Sequence, residues 1–120
     1  MKVVSNELKR LNNATRYSMQ GFYHAWQGEA SFRLEVLIAA ISLPIALWVD
    51  VHALERIALV GSILLILIVE LLNSAVEAAI DRVSTEPHPI SGRGKDLGSA
   101  AVFVCLVFAA FTWAIIFWPF

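Results

Sequence analysis

Polar residues recur along one face of a strongly apolar segment. The segment reads IALVGSILLILIVELLNSAVEAAID and begins at Ile57. The polar residues of its second half are Glu70, Asn73, Ser74, Glu77 and Asp81. At about 100° per residue on a helix, these five side chains fall within an arc of roughly 100°. Ionisable residues inside a membrane helix are costly and usually functional, so the stripe predicts a site rather than a purely structural contact between helices.

Several carboxylates near a membrane surface suit phosphoryl transfer. Their oxygens bind Mg²⁺, often through only one or two protein groups together with the phosphates of a substrate. A further carboxylate could accept the proton of an attacking hydroxyl group. The stripe therefore fits an enzyme that needs both a metal and a base.

A basic segment with two glycines follows the stripe. It reads RVSTEPHPISGRGKDLGS, in which Gly92 and Gly94 give backbone freedom while Arg93 and Lys95 give positive charge. This combination suits a phosphate-binding loop. The segment is not a Walker A motif, and the protein-kinase signatures are absent from the chain.

Two classes of protein fit this arrangement. A membrane-surface kinase would use the carboxylates for Mg²⁺, the basic loop for ATP, and an interfacial helix to admit a lipid alcohol. A small proton-coupled transporter would use membrane glutamates as a relay, which predicts acidic groups near the midplane of the bilayer. The acidic groups instead cluster toward one end of the apolar run, with Lys95 and Asp96 at the same level. This placement favours surface chemistry.

The elements that must position these residues are membrane helices. The chain has 120 residues and is 58% hydrophobic, with the apolar residues in long runs. We expect one all-α membrane domain over residues 1–120. Its predicted elements are an N-terminal amphipathic surface helix over about 5–28, transmembrane helices over about 32–49, 57–80 and 97–118, and a cytoplasmic connector over 82–96. The chain lacks a basic stripe of the kind that binds nucleic acid. Cys105 is its single cysteine, which excludes a disulfide within the chain.

The distribution of positive charge predicts the orientation. Lys and Arg are concentrated before the first run and in the second connector, whereas the first connector has only Arg56 and the C-terminus has none. The N-terminus and second connector should therefore be cytoplasmic, and the C-terminus outside. Glu29 and Glu35 then lie at the level of the stripe, and we expect them to join it. Three tryptophans near the outer boundaries are expected to anchor the helices: Trp48, Trp113 and Trp118.

Small residues in the second run favour an oligomer. Ser74 and Ala78, and likewise Ala75 and Ala79, are four residues apart, a spacing that allows helices to approach closely. The three membrane helices of a single chain do not easily enclose the polar stripe. We therefore expect several copies of the chain to associate.

The chain resembles the bacterial membrane-integral diacylglycerol kinases. Residues 70–81, ELLNSAVEAAID, match the family signature, and residues 91–102, SGRGKDLGSAAV, match a second segment. The pattern YS…G…AW…EA.FR.E from Tyr17 to Glu35 and the W-x-D segment at Trp48 extend the resemblance over nearly the whole chain. A related group phosphorylates undecaprenol instead. The N-terminal and Trp48 regions favour diacylglycerol.

The resemblance implies an ATP- and Mg²⁺-dependent kinase that converts diacylglycerol to phosphatidic acid. Members of the family are homotrimers of the inner membrane of Gram-negative bacteria, and their active sites are shared between neighbouring subunits. The resemblance implies Glu70 as the general base, supported by Asn73 and Asp81, with Glu29 and Glu77 as the Mg²⁺ ligands. The implied ATP contacts are Arg10, Tyr17, Glu29, Glu77, Glu86, Pro87, His88, Lys95 and Asp96. The implied lipid contacts are Arg10, Ala14, Thr15, Arg16, Tyr17, Ser18, Met19, Tyr23, His24, Ala25, Trp26, Ser31, Phe32, Arg33, Leu34, Glu35, Trp48, Arg56, Glu70, Ser99 and Trp113.

Overall fold

Residues 1–119, which the computed structural model describes, form four α-helices. They are α1 (Lys2–Gly28), α2 (Ala30–Trp48), α3 (Ala53–Val83) and α4 (Pro89–Phe117). By length and composition, α2, α3 and α4 can each cross a membrane. The expectation of an all-α protein with three apolar spans is confirmed.

The helix α3 is longer than a bilayer requires. Its 31 residues extend over roughly 46 Å at 1.5 Å per residue, whereas a hydrocarbon core is about 30 Å thick. One end of α3 can therefore project beyond the apolar layer. The polar stripe occupies the C-terminal part of this helix, so a single rigid element joins the membrane interior to the surface.

The turn between α2 and α3 is closed by two polar side chains. The guanidinium of Arg56 donates to the carbonyl oxygens of Ala46 at 2.7 Å and Leu47 at 2.8 Å, at the end of α2. Glu55 accepts a hydrogen bond from the backbone N–H of His52 at 3.1 Å, which caps the start of α3. Because these residues form the first turn of α3, the helix begins four residues before the predicted Ile57.

The connector between α3 and α4 is shorter than the expected 82–96. Proline at the first position of α4 is favourable there, and His88 Nδ1 accepts the backbone N–H of Ile90 at 3.1 Å. Residues 89–96 are consequently helical. Gly92 and Gly94 have no positive φ, so they do not form the flexible loop that the sequence suggested. Only residues 84–88 lie between the two helices.

The core is a narrow seam where α2, α3 and α4 meet. Its buried residues are Ala39, Ile63, Ile66, Cys105 and Ala109. Three of the five are small, so the helices approach closely. The thiol of Cys105 is free and buried in this seam.

Polar contacts join α3 to α4 near both ends of their interface. At one end Lys95 Nζ lies 2.8 Å from Asp81 Oδ1. Toward the other end, the indole N–H of Trp113 donates to Ser62 Oγ at 3.1 Å, and Ser62 is buried. These pairs, far apart along each helix, fix the register between α3 and α4.

The helix α1 contacts the rest of the chain mainly near its C-terminal end. Ala25 is its one buried residue. The backbone turns at Glu29, which is extended and follows α1 directly. Arg33 Nη1 then donates to Trp26 O at 2.7 Å, so a cation satisfies a carbonyl at the end of α1. This junction fixes the direction of α1 relative to α2.

Candidate active site

A cavity of about 390 Å³ lies among the ends of α2, α3 and α4 next to Glu29. Its polar lining residues are Glu29, Ser31, Glu35, Glu70, Asn73, Glu77 and Ser99, and Leu34 contributes an apolar wall. The topology deduced from charge led us to expect Glu29 and Glu35 beside the α3 stripe, and the structure brings them there. Four carboxyl groups therefore face one cavity.

Glu70 and Glu35 form the deepest part of this cavity. Their exposed fractions are only 4% and 7%, although both side chains are ionisable. Both carboxyl groups line this one cavity, one from α2 and the other from α3. Glu35 Oε2 is buried and has no hydrogen-bond partner.

Glu77 lies two helical turns from Glu70 on the same face of α3. It is half-buried, and the side-chain amide of Asn73 donates to Glu77 Oε1 at 3.5 Å. Residues four apart on a helix face the same side, which explains the contact. Asn73 Oδ1 is buried without a hydrogen-bond partner. Only the N–H end of the Asn73 amide therefore has a hydrogen-bond partner, and that partner is Glu77.

A second cavity, of about 530 Å³, lies between α1 and α3. It is lined by Ser18, His24 and Ala25 of α1 and by Ser74, Ala75 and Ala78 of α3. Glu29 lines both this cavity and the carboxylate cavity. Ser74, Ala75 and Ala78, three of the four small residues predicted to serve a helix–helix contact, therefore face α1 within the chain, and they leave space there.

Part of the predicted nucleotide set forms a third group around the α3–α4 connector. A cavity of about 300 Å³ is lined by residues that include Asp81, Glu86, Pro87, His88 and Lys95. Lys95 pairs with Asp81 at 2.8 Å, and both side chains are close to half exposed. An exposed ammonium beside a connector can meet a phosphate. Asp96 is exposed on α4 and does not line this cavity.

Two further predicted nucleotide residues lie on α1. Arg10 and Tyr17 line a shallow surface cavity with Ala14, and Arg10 forms an exposed ion pair with Glu7 at 3.0 Å. In one chain, α1 does not bring Arg10 or Tyr17 into the carboxylate cavity. The predicted ATP contacts therefore occupy three places.

The remaining predicted lipid contacts of α1 and the start of α2 are mostly exposed. Thr15 and Ser18 donate to backbone carbonyls one turn earlier, at 3.0 and 2.9 Å. Phe32 is buried, and Arg33 is engaged by α1 as described above. The exposed residues of this set include Arg16, Met19, Tyr23 and Trp26, and Arg16 donates to Asn13 Oδ1 at 3.4 Å.

Three predicted lipid contacts lie toward the opposite end of the bundle. Trp48 ends α2 and is 81% exposed. Arg56 is half-buried and donates to the last carbonyls of α2. Trp113 turns its indole N–H inward to Ser62, and its ring lines a cavity of about 220 Å³ that also includes Glu35. Arg56 and Trp113 thus have structural partners within the chain.

Sequence reasoning missed Gly98. A β-carbon built on this residue would overlap Asn73 Oδ1, so the absence of a side chain on α4 leaves the space that Asn73 occupies. The segment SGRGKDLGSAAV contained a usable signal, because Gly94 and Gly98 are four residues apart and such spacing favours close helix contact. That signal does not identify Asn73 as the residue opposite.

No preformed metal site of three or more His, Cys, Asp or Glu side chains occurs within residues 1–119. Magnesium does not require one, since it commonly uses one or two carboxylates and completes its coordination with water and substrate phosphates. Glu29 and Glu77 supply two carboxylates on one cavity. The donor chemistry fits Mg²⁺ bound together with phosphates.

The fold and this cavity define a small helical protein with three membrane-crossing helices and a carboxylate-rich site near one end of them. The family model of the prokaryotic diacylglycerol kinases matches residues 16–117. The chain belongs to that family, which confirms the resemblance stated from the sequence and the enzyme class, diacylglycerol kinase.

Curated relatives cover almost the same length. The diacylglycerol kinase of Pseudomonas aeruginosa is 53% identical over 109 residues, which are 91% of this chain and 89% of the relative. That of Escherichia coli K12 is 46% identical over the same shares of both chains. That of Haemophilus influenzae is 43% identical over 106 residues, 88% of this chain and 90% of the relative.

Proposed function

We propose that this protein transfers the γ-phosphate of ATP to diacylglycerol and forms phosphatidic acid at the cytoplasmic face of a bacterial inner membrane. The observation that supports this most strongly is the convergence of Glu29, Glu35, Glu70 and Glu77 on one cavity at the end of the spans. Family membership supports the same activity.

In this proposal Glu70 is the general base. One of its oxygens accepts the proton of the lipid hydroxyl while the hydroxyl oxygen forms a bond to the γ-phosphorus. The bond from that phosphorus to the bridging oxygen of ATP breaks, and ADP leaves with this oxygen. The burial of Glu70 beside Glu35 supports the role, because water is largely excluded there.

Glu29 and Glu77 would hold Mg²⁺ together with the ATP phosphates. Bound Mg²⁺ would neutralise charge on the phosphate oxygens during transfer. Glu29 lies in the turn between α1 and α2, whereas Glu77 lies on α3, so the two carboxylates can approach one ion from different elements. Asn73 would orient Glu77 through its amide.

The nucleotide would be bound mainly by exposed residues outside the carboxylate cavity. Lys95 would contact a phosphate, with Asp81 holding the ammonium in place. The segment 86–88 and Asp96 would contact the remainder of ATP. Arg10 and Tyr17 on α1 are separated from these groups within one chain. This separation supports an oligomer in which neighbouring subunits complete each site, and we propose the homotrimer that the resemblance implies.

The lipid would enter beside α1. We propose that α1 lies at the cytoplasmic interface and that the cavity between α1 and α3 admits the glycerol headgroup toward Glu29. The N-terminus would then be cytoplasmic and the C-terminus periplasmic, as the distribution of Lys and Arg predicts. The exposed aromatic side chains of α1 would contact acyl chains.

A direct assay offers diacylglycerol and undecaprenol side by side in mixed micelles with radiolabelled ATP and Mg²⁺. We expect label in phosphatidic acid, at a higher kcat/KM than in undecaprenyl phosphate. Preferential labelling of undecaprenol would assign the chain to the other lipid. An absence of any lipid phosphorylation, with proton flux in liposomes, would replace the kinase by a transporter.

A further inference from the structure

Gly98 differs from the other glycines of α4 in what lies opposite. A β-carbon at Gly92 would meet no atom within 4 Å, and one at Gly94 would meet the flexible end of the Ile80 side chain. A β-carbon at Gly98 would instead overlap the amide oxygen of Asn73. Gly98 is therefore the only glycine of α4 whose missing side chain makes room for a polar group. That polar group, the Asn73 amide, belongs to the α3 stripe.

Asn73 is held by steric fit at one end and by a hydrogen bond at the other. Its Oδ1 lies against Gly98, buried and without a hydrogen-bond partner. Its Nδ2 donates to Glu77 Oε1 at 3.5 Å. A buried amide oxygen without a hydrogen-bond partner costs free energy, and this arrangement bears that cost. It does leave the N–H end of the amide directed at Glu77.

We propose that Gly98 is a positioning residue of the phosphoryl-transfer site. Its missing side chain makes the space in which the Asn73 amide lies, and the amide then orients the Glu77 carboxylate. Gly98 acts only through Asn73 and touches no substrate. The inference rests on the proposed function to the extent that Glu77 binds the metal of Mg-ATP.

The substitution Gly98→Ala tests this proposal without lowering the helix propensity of α4. Alanine favours helix more than glycine does, so a weaker α4 is not the expected effect. The added methyl group forces the Asn73 side chain to rotate away, and Glu77 loses its donor. Loss of a partner that orients a metal ligand typically costs about 10- to 100-fold in metal affinity or activity. We expect the Mg²⁺ concentration for half-maximal activity to rise by about tenfold or more, with a smaller change in kcat at saturating Mg²⁺.

A double-mutant cycle separates positioning from general disruption. In the Asn73→Ala background the overlapping atoms are gone, so adding Gly98→Ala should change neither the Mg²⁺ dependence nor the thermal stability further. Additive losses would overturn the proposal. If Gly98→Ala alone fails to fold, the double variant is expected to recover a folded protein. Failure of that recovery would also overturn it.

A spectroscopic measurement keeps this test independent of catalysis. The side-chain amide resonances of Asn73 can be assigned in detergent micelles by their loss in Asn73→Ala. They should shift in Gly98→Ala and stay in place in Gly61→Ala, a control on α3 where a β-carbon meets no atom within 4 Å. Unmoved resonances in Gly98→Ala, or moved resonances with an unchanged Mg²⁺ dependence, would refute the assignment. A wild-type protein without lipid kinase activity would refute the proposed function, while the resonances would still report on Asn73.

Discussion

Arg56 is a residue at which a structural role and a lipid-binding role can be separated by experiment. Its guanidinium donates to Ala46 O at 2.7 Å and Leu47 O at 2.8 Å, and more distantly to Val51 O at 3.5 Å. The first two carbonyls belong to the last turn of α2, where acceptors have no partner within the helix. We therefore predict that Arg56→Ala destabilises the junction between α2 and α3 without impairing lipid binding.

The expected magnitude follows from these contacts. A hydrogen bond from a charged donor contributes about 1.5–3 kcal/mol, and a cation at a helix C-terminus adds roughly 0.3–1 kcal/mol. Both short hydrogen bonds come from one guanidinium group, so their contributions do not simply add. Arg56 is half-buried, so in Arg56→Ala water replaces part of the lost hydrogen bonding. A net cost of about 2 kcal/mol follows, which is close to a thirtyfold change in the unfolding equilibrium constant.

Reversible unfolding in mixed micelles of a mild detergent and SDS, monitored by circular dichroism, measures this cost. Arg56→Ala should unfold at a lower SDS fraction, and Arg56→Lys should recover part of the difference because charge remains while the planar fork is lost. The control Arg82→Ala changes an exposed arginine of α3 and should shift unfolding less. The KM for diacylglycerol should stay within about twofold. A large rise in this KM at unchanged stability would refute the reasoning and favour the lipid contact.

Two further predictions concern the nucleotide and its metal. Glu77→Gln removes one of the two carboxylates proposed for Mg²⁺, so the Mg²⁺ concentration for half-maximal activity should rise about tenfold or more, as measured by a metal titration at fixed ATP; an unchanged titration would exclude Glu77 as a ligand. Lys95→Ala should raise the KM for ATP by roughly tenfold with little effect on the KM for diacylglycerol, since the ammonium is proposed to meet a phosphate and no lipid. If both KM values rise together, Lys95 instead holds the α3–α4 junction through Asp81.

The membrane helices and the stripe on α3 were predictable from the sequence. Apolar runs of sufficient length have few alternatives to spanning helices in a bilayer. The helical period places Glu70, Asn73 and Glu77 on one face once α3 is continuous. The charge asymmetry placed Glu29 and Glu35 at the same level, and a shared cavity results.

The start of α4 was predicted wrongly for a local reason. Gly92 and Gly94 in a polar, basic stretch are typical of a loop, and this led us to expect a connector as far as residue 96. Packing against α3 outweighs that propensity. Pro89 and the His88 cap begin the helix, and Gly94 then lies against Ile80. Gly94 therefore serves close packing rather than backbone freedom, whereas a β-carbon at Gly92 would meet no atom within 4 Å.

Contacts between helices could not be deduced from the pattern of either helix alone. The overlap of Gly98 with Asn73 depends on the register between α3 and α4, which is fixed by pairs such as Lys95–Asp81 and Trp113–Ser62. The sequence likewise indicated that Trp113 falls near a membrane boundary, but not that its indole N–H turns inward. Registers of this kind are set by packing across the bundle.

The most direct test of the central claim is the turnover of Glu70→Gln. Glutamine keeps the size of the side chain and cannot accept the proton of the lipid hydroxyl. We predict that kcat for diacylglycerol phosphorylation falls by about 100-fold or more, while unfolding and the Mg²⁺ dependence of residual activity stay close to those of the wild type. A kcat near the wild-type value in a folded Glu70→Gln protein would contradict the account, because the proton would then be accepted elsewhere.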